Sequence, residues 1–404
     1  MRTQDSNSLS LDNQALENNK VPQPLKELVP FNKAYVTGKE LGYIQQAIDN
    51  AHLSGNGSFT QRCQEFLQGL TEAHEVFLTQ SGTGALEMAA MLIDVVPGDE
   101  VILPSFTFVT TASAFVLRGA IPVFVDIHPD TLNLDENAVE AAITKKTKAI
   151  VPVHYAGLSC EMDKIIELAT QQNIYVIEDA AHALLSTYKN RPVGSLGHLA
   201  ALSFHETKNI TAGEGGALLI NQEKLMEKAH LVWEKGTDRR EFRLGMTDKY
   251  TWKVLGSSFP PSEVTAAFLW AQIREINMIT NQRIRAWQRY HSRLKELEDK
   301  GKLIRPVETP NAERNGHIYY ILVQSEQTRN RLLAYLNTNN INAVFHYIPL
   351  HSSPAGRHYG RCHGSLKTTD DISTRLIRLP LWADLPTETI DAIVSEIEAF
   401  FRLN

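Results

Sequence analysis

One lysine of the chain stands where covalent chemistry with an aldehyde is favoured. Lys208 comes at the end of an apolar strand pattern, near a serine and a histidine, and before the small-residue run 213–217. A lysine amine attacks an aldehyde only after it has lost its proton, which partial burial and neighbouring positive charge bring about. Lys208 is therefore a candidate for covalent cofactor attachment, and the alternative is a surface lysine in a loop.

A carboxylate and a histidine follow the apolar run 174–177. Asp179 comes at the end of that predicted strand, where a carboxylate can pair with a protonated ring nitrogen and hold a cofactor ring as an electron sink, as pyridoxal phosphate chemistry requires. The alternative is a helix N-cap, which the next residues also fit. His182 is either a contact to the cofactor or a hydrogen-bonded histidine of the core.

Hydroxyl residues and glycines open the first clear helix, in the stretch 79–87. Backbone N–H groups at a helix start, helped by the helix dipole, bind phosphate. The stretch lacks the motifs of a P-loop and of a dinucleotide fold, so it favours a compact phosphorylated cofactor over ATP or NAD. A turn that only caps a helix has the same appearance. Phe108 follows the next strand and either stacks on a flat ring or packs in the core.

The elements that must position these residues alternate along residues 75–222. Short apolar runs predict strands, and apolar residues at helical spacing predict helices between them. Such a βαβ series builds an α/β fold with a mostly parallel sheet covered by helices on both faces, and its strand ends gather polar loops around one crevice. The predicted strands are 101–103, 123–125, 149–153 and 174–177, and the predicted helices are 85–93, 109–117, 134–143 and 163–172.

The later part of the chain has a different pattern. Residues 263–298 are charged and almost free of breakers, which predicts one long helix leading to a smaller unit. That unit is predicted to hold strands at 318–323 and 343–347 and helices at 328–338 and 390–403. The run 346–351 either closes over a substrate or forms a buried strand and turn. The predicted organisation is a polar mobile tail (1–28), a large cofactor-binding domain (29–284) and a small C-terminal domain (285–404).

Composition narrows the class of protein. The chain has 404 residues, 43% hydrophobic and 21% charged, which are ordinary globular values. A net charge of -6 argues against nucleic acid or an anionic membrane surface as the main partner, and favours small molecules. Three cysteines without a CxxC pair fit a reducing compartment and no structural zinc. No segment has the apolar length of a secretory signal or a membrane span, so a cytoplasmic protein is expected.

Five segments together resemble one enzyme family. Their order and spacing are similar to those of the nucleotide-sugar aminotransferases of the DegT/DnrJ/StrS family, and the resemblance runs from about residue 29 to the C-terminus. It implies the fold type I architecture of aminotransferases that depend on pyridoxal phosphate, and a homodimer with active sites at the subunit interface. The segments are 81–83, 104–108, 152–157, 178–182 and 203–209.

The resemblance also implies roles for individual residues. By motif, Lys208 would bind the cofactor covalently, Asp179 would pair with its pyridine nitrogen, Phe108 would stack on its ring and His182 would lie near its phenolic oxygen. The residues implied in phosphate binding are Gly82, Thr83 and Ser203. Many relatives carry an asparagine that reaches the phosphate held by the partner subunit, and Ser258 stands in its place.

A closer similarity exists within the family. The segments 204–209, 248–252, 269–272 and 343–351 are most like those of transaminases that make dTDP-4-amino-4,6-dideoxygalactose. This implies L-glutamate as donor and a dTDP-4-keto-6-deoxyhexose as acceptor. The alternatives are another keto-sugar nucleotide (C3-keto or UDP-linked), a sugar dehydratase, in which histidine replaces the lysine, and a binding protein of the same fold without catalysis.

Overall fold

A computed structural model of the chain describes residues 27–403. All but the last two residues of the predicted polar tail (1–28) therefore lie outside the described residues. The helices are α1 (Glu40–Asp49), α2 (Ser58–Thr71), α3 (Gly82–Leu92), α4 (Thr110–Val116), α5 (Glu136–Ala142), α6 (Met162–Gln172), α7 (Met226–Trp233), α8 (Arg239–Arg243), α9 (Glu263–Arg274), α10 (Ile276–Arg293), α11 (Lys295–Asp299), α12 (Glu326–Thr338), α13 (Pro354–Tyr359), α14 (Lys367–Arg375) and α15 (Thr387–Leu403).

The strands form one large sheet and two small ones. They are β1 (Glu75–Thr79), β2 (Glu100–Pro104), β3 (Ile121–Val125), β4 (Thr147–Ile150), β5 (Tyr175–Asp179), β6 (Thr187–Tyr188), β7 (Arg191–Pro192), β8 (Leu199–Ser203), β9 (Gly216–Ile220), β10 (Leu303–Ile304), β11 (Ala312–Glu313), β12 (Tyr319–Val323), β13 (Arg361–Cys362) and β14 (Leu376–Leu379).

The large sheet has the strand order β1-β9-β8-β5-β4-β2-β3-β13. Its strands run parallel except β9, which is antiparallel to both β1 and β8. The predicted mostly parallel α/β architecture is thus confirmed. In the register of β9, Gly216 pairs with both Thr79 and Ser203. The ends of β1 and β8 therefore lie on either side of the start of β9, next to the start of α3.

Two apolar layers cover the large sheet, as the alternation of side chains along a strand dictates. On β1, Leu78 belongs to the layer that contains α2 and α9, whereas Phe77 packs with α3 on the opposite face. Val123 and Phe124 on β3 divide in the same way. Both faces of the sheet are buried, so ligands can reach it at the edge formed by the loops that follow the strand ends.

The C-terminal part builds a second core around the sheet β10-β12-β14. Trp287 and Tyr290 on α10 pack against Tyr319 on β12, and α12 and α15 contribute aliphatic side chains. The chain then returns to the large sheet, where β13 pairs in parallel with β3. Within residues 27–403, no helix combines the length and the apolar character that crossing a membrane requires.

The predicted strand 343–347 is wrong. Only Val344 bridges to the neighbouring backbone, at Arg378, and the next residues leave the sheet so that His346 and Tyr347 reach the wall of a cavity. The strand predicted at 149–153 is shorter than expected: β4 ends at Ile150, before Pro152, which has no N–H to donate to a ladder.

The single long helix predicted over 263–298 is also wrong. At Glu275 the backbone turns to φ -111°, and α9, α10 and α11 follow one another instead. No glycine or proline stands at this break. The sequence pattern therefore gave no signal for it.

Candidate active site

A cavity of about 660 Å³ opens where the strands β5 and β8 end. Asp179 and Ser203, the last residues of these strands, lie in its wall. Residues from the C-terminal part complete the wall, among them His317, His346 and Arg378. The polar loop residues of the parallel strands thus meet at one crevice, as this type of sheet requires.

Lys208 projects into this cavity from the loop that joins β8 to β9. Backbone hydrogen bonds close the loop: Phe204 N–H donates to Gly215 O, Glu206 N–H to Gly213 O, and Lys208 N–H to His205 O. The loop needs Gly213, whose φ of +77° lies in the left-handed region. The backbone therefore holds the lysine at a fixed point of the wall.

The electrostatic setting of Lys208 favours its neutral amine. Burial lowers the pKa of Lys208 to about 8; the charge of Asp179 opposes the shift and the charge of Arg378 adds to it. About a tenth of the amine is thus unprotonated at pH 7, far more than for an ordinary lysine, and the unprotonated form is the one that attacks an aldehyde or takes up a proton.

Asp179 is buried at the end of β5 and is held by two hydrogen bonds to its carboxylate. The Thr111 hydroxyl donates to Oδ2 at 2.7 Å, and the Ala181 N–H donates to Oδ1 at 3.2 Å. In the described part of the chain no helix begins directly after Asp179, so Asp179 is not a helix N-cap. Its carboxylate lines the cavity instead.

The residue before Asp179 supports it from the other face of β5. Glu178 is fully buried and accepts hydrogen bonds from the N–H groups of Gly194, Leu196 and Gly197 and from Nε2 of His154. Because Cys160 N–H donates to Nδ1 of His154, the ring carries its proton on Nε2 and is neutral. This network ties the loop after β7 to the strand that presents Asp179.

Gly82, Thr83 and Ser203 meet at the start of α3. The Ser81 side chain caps the helix by accepting from Gly84 N–H at 3.0 Å, while the first N–H groups of a helix have no acceptor within it. A Cβ at Gly82 would lie 3.0 Å from Cβ of Ser203, so the two elements approach closely. The three predicted phosphate residues thus form one concave, N–H-rich end of the cavity.

His182, Phe108 and Tyr347 line another part of the cavity wall. His182 is buried, its Nδ1 has no hydrogen-bond partner in the described part of the chain, and its ring lies 4.4 Å from that of His317. Burial, then the charges of Lys208 and Arg378, hold the pKa of His182 well below its usual range. Phe108 lies at the mouth with 55% of its surface exposed, near Tyr347, whereas Phe106 is fully buried.

Ser258 alone among the predicted site residues stays outside the cavity. It is exposed, and its carbonyl accepts a hydrogen bond from the Gln80 side chain. The sequence did not single out five further residues that contribute to the site: Thr111, His154, Glu178, His317 and Arg378. For Thr111 the sequence has one signal, a hydroxyl one helical turn after Phe108. For the other four, nothing in the local sequence separates them from core residues.

The residues of the cavity fit a phosphorylated aldehyde cofactor. An N–H-rich end suits a phosphate, a buried carboxylate suits a ring nitrogen, and a lysine with lowered pKa suits an aldehyde. The Nδ1 atom of His182 has no hydrogen-bond partner among residues 27–403 and remains available to a ligand oxygen. A lysine and an aspartate presented by an α/β sheet in this way define a class, the enzymes of fold type I.

Comparison with known proteins identifies the family. The model of the DegT/DnrJ/EryC1/StrS aminotransferase family matches residues 35–398. The chain is 30% identical to the spore coat polysaccharide biosynthesis protein SpsC of Bacillus subtilis, over 93% of this chain and 97% of that protein. It is 31% identical to GDP-perosamine synthase of Caulobacter vibrioides, over 89% and 95% of the two chains.

A solved structure agrees with the sequence comparisons. The PLP form of the putative sugar aminotransferase Spr1654 from Streptococcus pneumoniae superposes with a TM-score of 0.85 at 25% identity, covering 93% of this chain and all of that one. The chain belongs to the DegT/DnrJ/EryC1/StrS aminotransferase family. It is a sugar aminotransferase that depends on pyridoxal phosphate.

Proposed function

We propose that the enzyme transfers the amino group of L-glutamate to C4 of a dTDP-4-keto-6-deoxyhexose, giving dTDP-4-amino-4,6-dideoxygalactose for surface polysaccharide biosynthesis in the cytoplasm. The observation that carries the aminotransferase chemistry is Lys208, whose pKa of about 8 leaves a reactive amine in a cavity that also holds Asp179. The sugar assignment is supported by the similarity of the segments 204–209, 248–252, 269–272 and 343–351.

Lys208 and Asp179 perform the central steps in this proposal. When bound, pyridoxal phosphate supplies an aldehyde that takes up the amino group and a ring that accepts electrons from the carbon bearing it. Lys208 would hold that aldehyde in the resting enzyme. Its freed amine would take a proton from the α-carbon of glutamate and pass it to the cofactor, and in the second stage it would take a proton back from the cofactor and deliver it to C4 of the sugar. The face from which Lys208 delivers it sets the configuration of the new amine.

Other side chains hold the cofactor. Asp179, fixed by Thr111 and Ala181, keeps the proton on the pyridine nitrogen, which strengthens the ring as an electron acceptor. The phosphate would bind at the first turn of α3, to the residues Gly82, Thr83 and Ser203. Phe108 would stack on the ring from the mouth of the cavity, and Nδ1 of His182, which has no partner among residues 27–403, would meet the phenolic oxygen.

We also propose a homodimer in which Ser258 contacts the phosphate of the partner subunit. Its exposure, and its absence from the cavity of its own chain, support a role across an interface. The segment before it exposes several large apolar side chains, a surface that suits association with a second copy. These are Phe242, Leu244, Met246, Tyr250, Trp252 and Leu255.

Sedimentation of the wild type and of Trp252→Glu tests the proposed dimer. We expect a dimeric wild type and a variant that dissociates into monomers. A monomeric wild type would overturn the proposal.

The function is tested by following the visible absorption of the purified enzyme. Addition of L-glutamate should bleach the band of the bound cofactor, and addition of dTDP-4-keto-6-deoxyglucose should restore it. Lys208→Ala should show neither change, whereas Lys295→Ala, in an exposed ion pair with Asp299, should behave as wild type. Product analysis then identifies the carbon aminated and its configuration.

Each outcome separates the proposal from its alternatives. A band that no amino donor bleaches contradicts the aminotransferase step and points to a dehydratase or a binding protein. Bleaching by glutamate without recovery on the dTDP sugar, but with recovery on a UDP-linked or C3-keto sugar, overturns only the sugar assignment.

A further inference from the structure

Residues 345–349, the wall segment, cross from the small sheet to the large one with few backbone bonds of their own. Val344, before the segment, bridges to the backbone of β14, and Leu350, after it, donates its N–H to Ser105 O at 3.0 Å. Between these points, the N–H groups of residues 345–348 donate to no backbone carbonyl among residues 27–403. The position of the wall segment is therefore set mainly at its two ends.

His351 fixes the far end of the wall segment to Ser105, the residue that follows β2. The Ser105 hydroxyl lies 2.7 Å from Nδ1 of His351 and accepts the His351 backbone N–H at 3.0 Å. On the other side of the ring, Nε2 lies 3.3 Å from Oδ1 of Asp370 on α14. Ser105 is fully buried, and its own N–H donates to Val125 O at the end of β3. His351 is thus tied to the rigid part of the large sheet.

The wall segment presents two hydrogen-bond donors to the cavity. The Tyr155 hydroxyl is fully buried, 2.9 Å from Nδ1 of His346. It has no other acceptor among the described residues, so it donates to Nδ1, and Nε2 of His346 carries the ring proton. The Tyr347 hydroxyl makes no hydrogen bond within residues 27–403, and burial raises the pKa of Tyr347, so this hydroxyl stays protonated. Both side chains line the cavity, where the oxygens of a ligand can accept from them.

These donors lie on the path of a nucleotide sugar. The ring of Tyr347 is 6.5 Å from that of Phe108, which lies at the mouth of the cavity. An amino acid can lie wholly inside, next to Lys208. A nucleotide sugar that brings its C4 to Lys208 must extend outward through the mouth, because its nucleotide is attached at the opposite side of the hexose. Side chains beside Phe108 therefore face the sugar nucleotide.

We infer that His351 is a positioning residue for the acceptor: by binding Ser105 it sets the place of His346 and Tyr347 against the hexose of the nucleotide sugar. This rests on the function proposed above, in which the acceptor follows the amino-acid donor into the same cavity. His351 does not itself line the cavity, so its effect passes through the wall segment. The loss of its bonds leaves Lys208 and its loop in place.

The test measures the two half-reactions separately. Bleaching of the cofactor band by L-glutamate reports the donor half. Recovery of the band with the keto-sugar nucleotide, on enzyme loaded with pyridoxamine phosphate, reports the acceptor half. Each titration gives an apparent dissociation constant and a limiting rate.

Four variants separate positioning from a general structural role. His351→Ala removes the ring, and His351→Asn restores a polar atom near the place of Nδ1, where its amide oxygen can accept from the Ser105 hydroxyl. Tyr347→Phe removes one of the two donors and is also combined with His351→Ala. His358→Ala, an exposed histidine of α13, is the matched control.

In His351→Ala, the apparent dissociation constant of the acceptor should rise about tenfold, because the two donors lose their fixed place. The limiting rate of the acceptor half and both constants of the donor half should change less than about threefold, since a loss of binding alone leaves the chemical step intact. His351→Asn should recover most of the acceptor affinity, and His358→Ala should match the wild type. The double variant should weaken the acceptor by less than the product of the two single effects, because both act through Tyr347.

Three results would overturn the inference while the proposed function stands. These are wild-type acceptor affinity in His351→Ala, equal weakening of donor and acceptor, and a double variant whose effect equals the product of the single ones. If His351→Ala does not fold, Ser105→Ala takes its place with the same expectations, because it removes the hydroxyl and keeps the backbone bond to Leu350. A wild type that bleaches with glutamate but aminates no keto sugar overturns the proposed function and this inference together.

Discussion

The hydroxyl of Thr111 donates a hydrogen bond of 2.7 Å to Oδ2 of Asp179. Thr111 is fully buried on α4, and Asp179 ends β5, so the bond joins a helix and a strand that lie 68 residues apart in sequence. The Thr107 hydroxyl lies 2.9 Å from that of Thr111 and extends the chain of bonds. The orientation of the carboxylate therefore depends on a hydroxyl that does not itself line the cavity.

Thr111→Val should weaken cofactor binding and also lower the free energy of unfolding of the cofactor-free protein. It keeps the shape of the side chain but removes the donor to a buried carboxylate, and hydrogen bonds to charged groups contribute about 1.5–3 kcal/mol. We expect the dissociation constant of pyridoxal phosphate to rise about tenfold or more. Titration of cofactor-free protein measures it, with Thr170→Val, on the exposed face of α6, as control. Unchanged affinity would mean that Ala181 alone fixes the carboxylate.

The pKa of Lys208, about 8 rather than 10.5, predicts a pH dependence of cofactor capture. The rate at which cofactor-free protein forms its absorbing complex with pyridoxal phosphate should rise with pH through a midpoint near pH 8, as the amine loses its proton, and level off about one to two pH units higher. Arg378→Gln removes a positive neighbour and should shift the midpoint upward, whereas Asp179→Asn should shift it downward. Stopped-flow absorption measures both, and equal midpoints in all three proteins would contradict this coupling.

The same shift predicts how stability changes with pH in the cofactor-free protein. Between about pH 8 and pH 10.5 the unfolded chain binds a proton at Lys208 that the folded chain does not. The contribution of this group to the free energy of unfolding therefore rises with pH across that window. Urea unfolding of the wild type and of Lys208→Met isolates this contribution. The free energy of unfolding of the wild type, relative to that of the variant, should rise from pH 8 to pH 10.

Glu178→Gln should destabilise the fold by about 3 kcal/mol, because a buried carboxylate with four donors is replaced by an amide that turns N–H groups toward N–H groups. Urea unfolding measures the loss. Glu313→Gln, an exposed glutamate on β11, is the matched control. A loss below about 1 kcal/mol would show that the loop after β7 is held by other contacts.

Gly216→Ala should damage the phosphate end of the cavity. A Cβ at this position would lie 2.4 Å from the carbonyl carbon and oxygen of Ser81, so β9 and the start of α3 must separate. Overpacking of this kind costs about 1–3 kcal/mol, and weaker cofactor binding should accompany it. Gly69→Ala is the control, since nothing lies within 4 Å of its new Cβ in α2, and it should be neutral or stabilising. Thermal unfolding with and without cofactor reads out both effects.

The order of strands and helices over residues 100–179 follows from the sequence alone. Apolar runs such as 101–103 and 123–125 are short and bounded by turn residues, and their burial on both faces is the property that the pattern encodes. Lys208 and Asp179 could be singled out because each follows such a run, and parallel strands bring their carboxyl ends to one edge of the sheet.

The tertiary structure decided which side chains face Lys208 and Asp179 across the cavity. The segment 343–347 has the composition of a strand, but His346 and Tyr347 enter the cavity wall because the sheet next to Val344 offers only one bridge. Thr111 and Arg378 reach the site across large separations in sequence, and local patterns carry no record of such contacts. The free energy that orients the site comes from these long-range contacts, so the sequence determined which groups react and the packing of the folded chain decided how they are held.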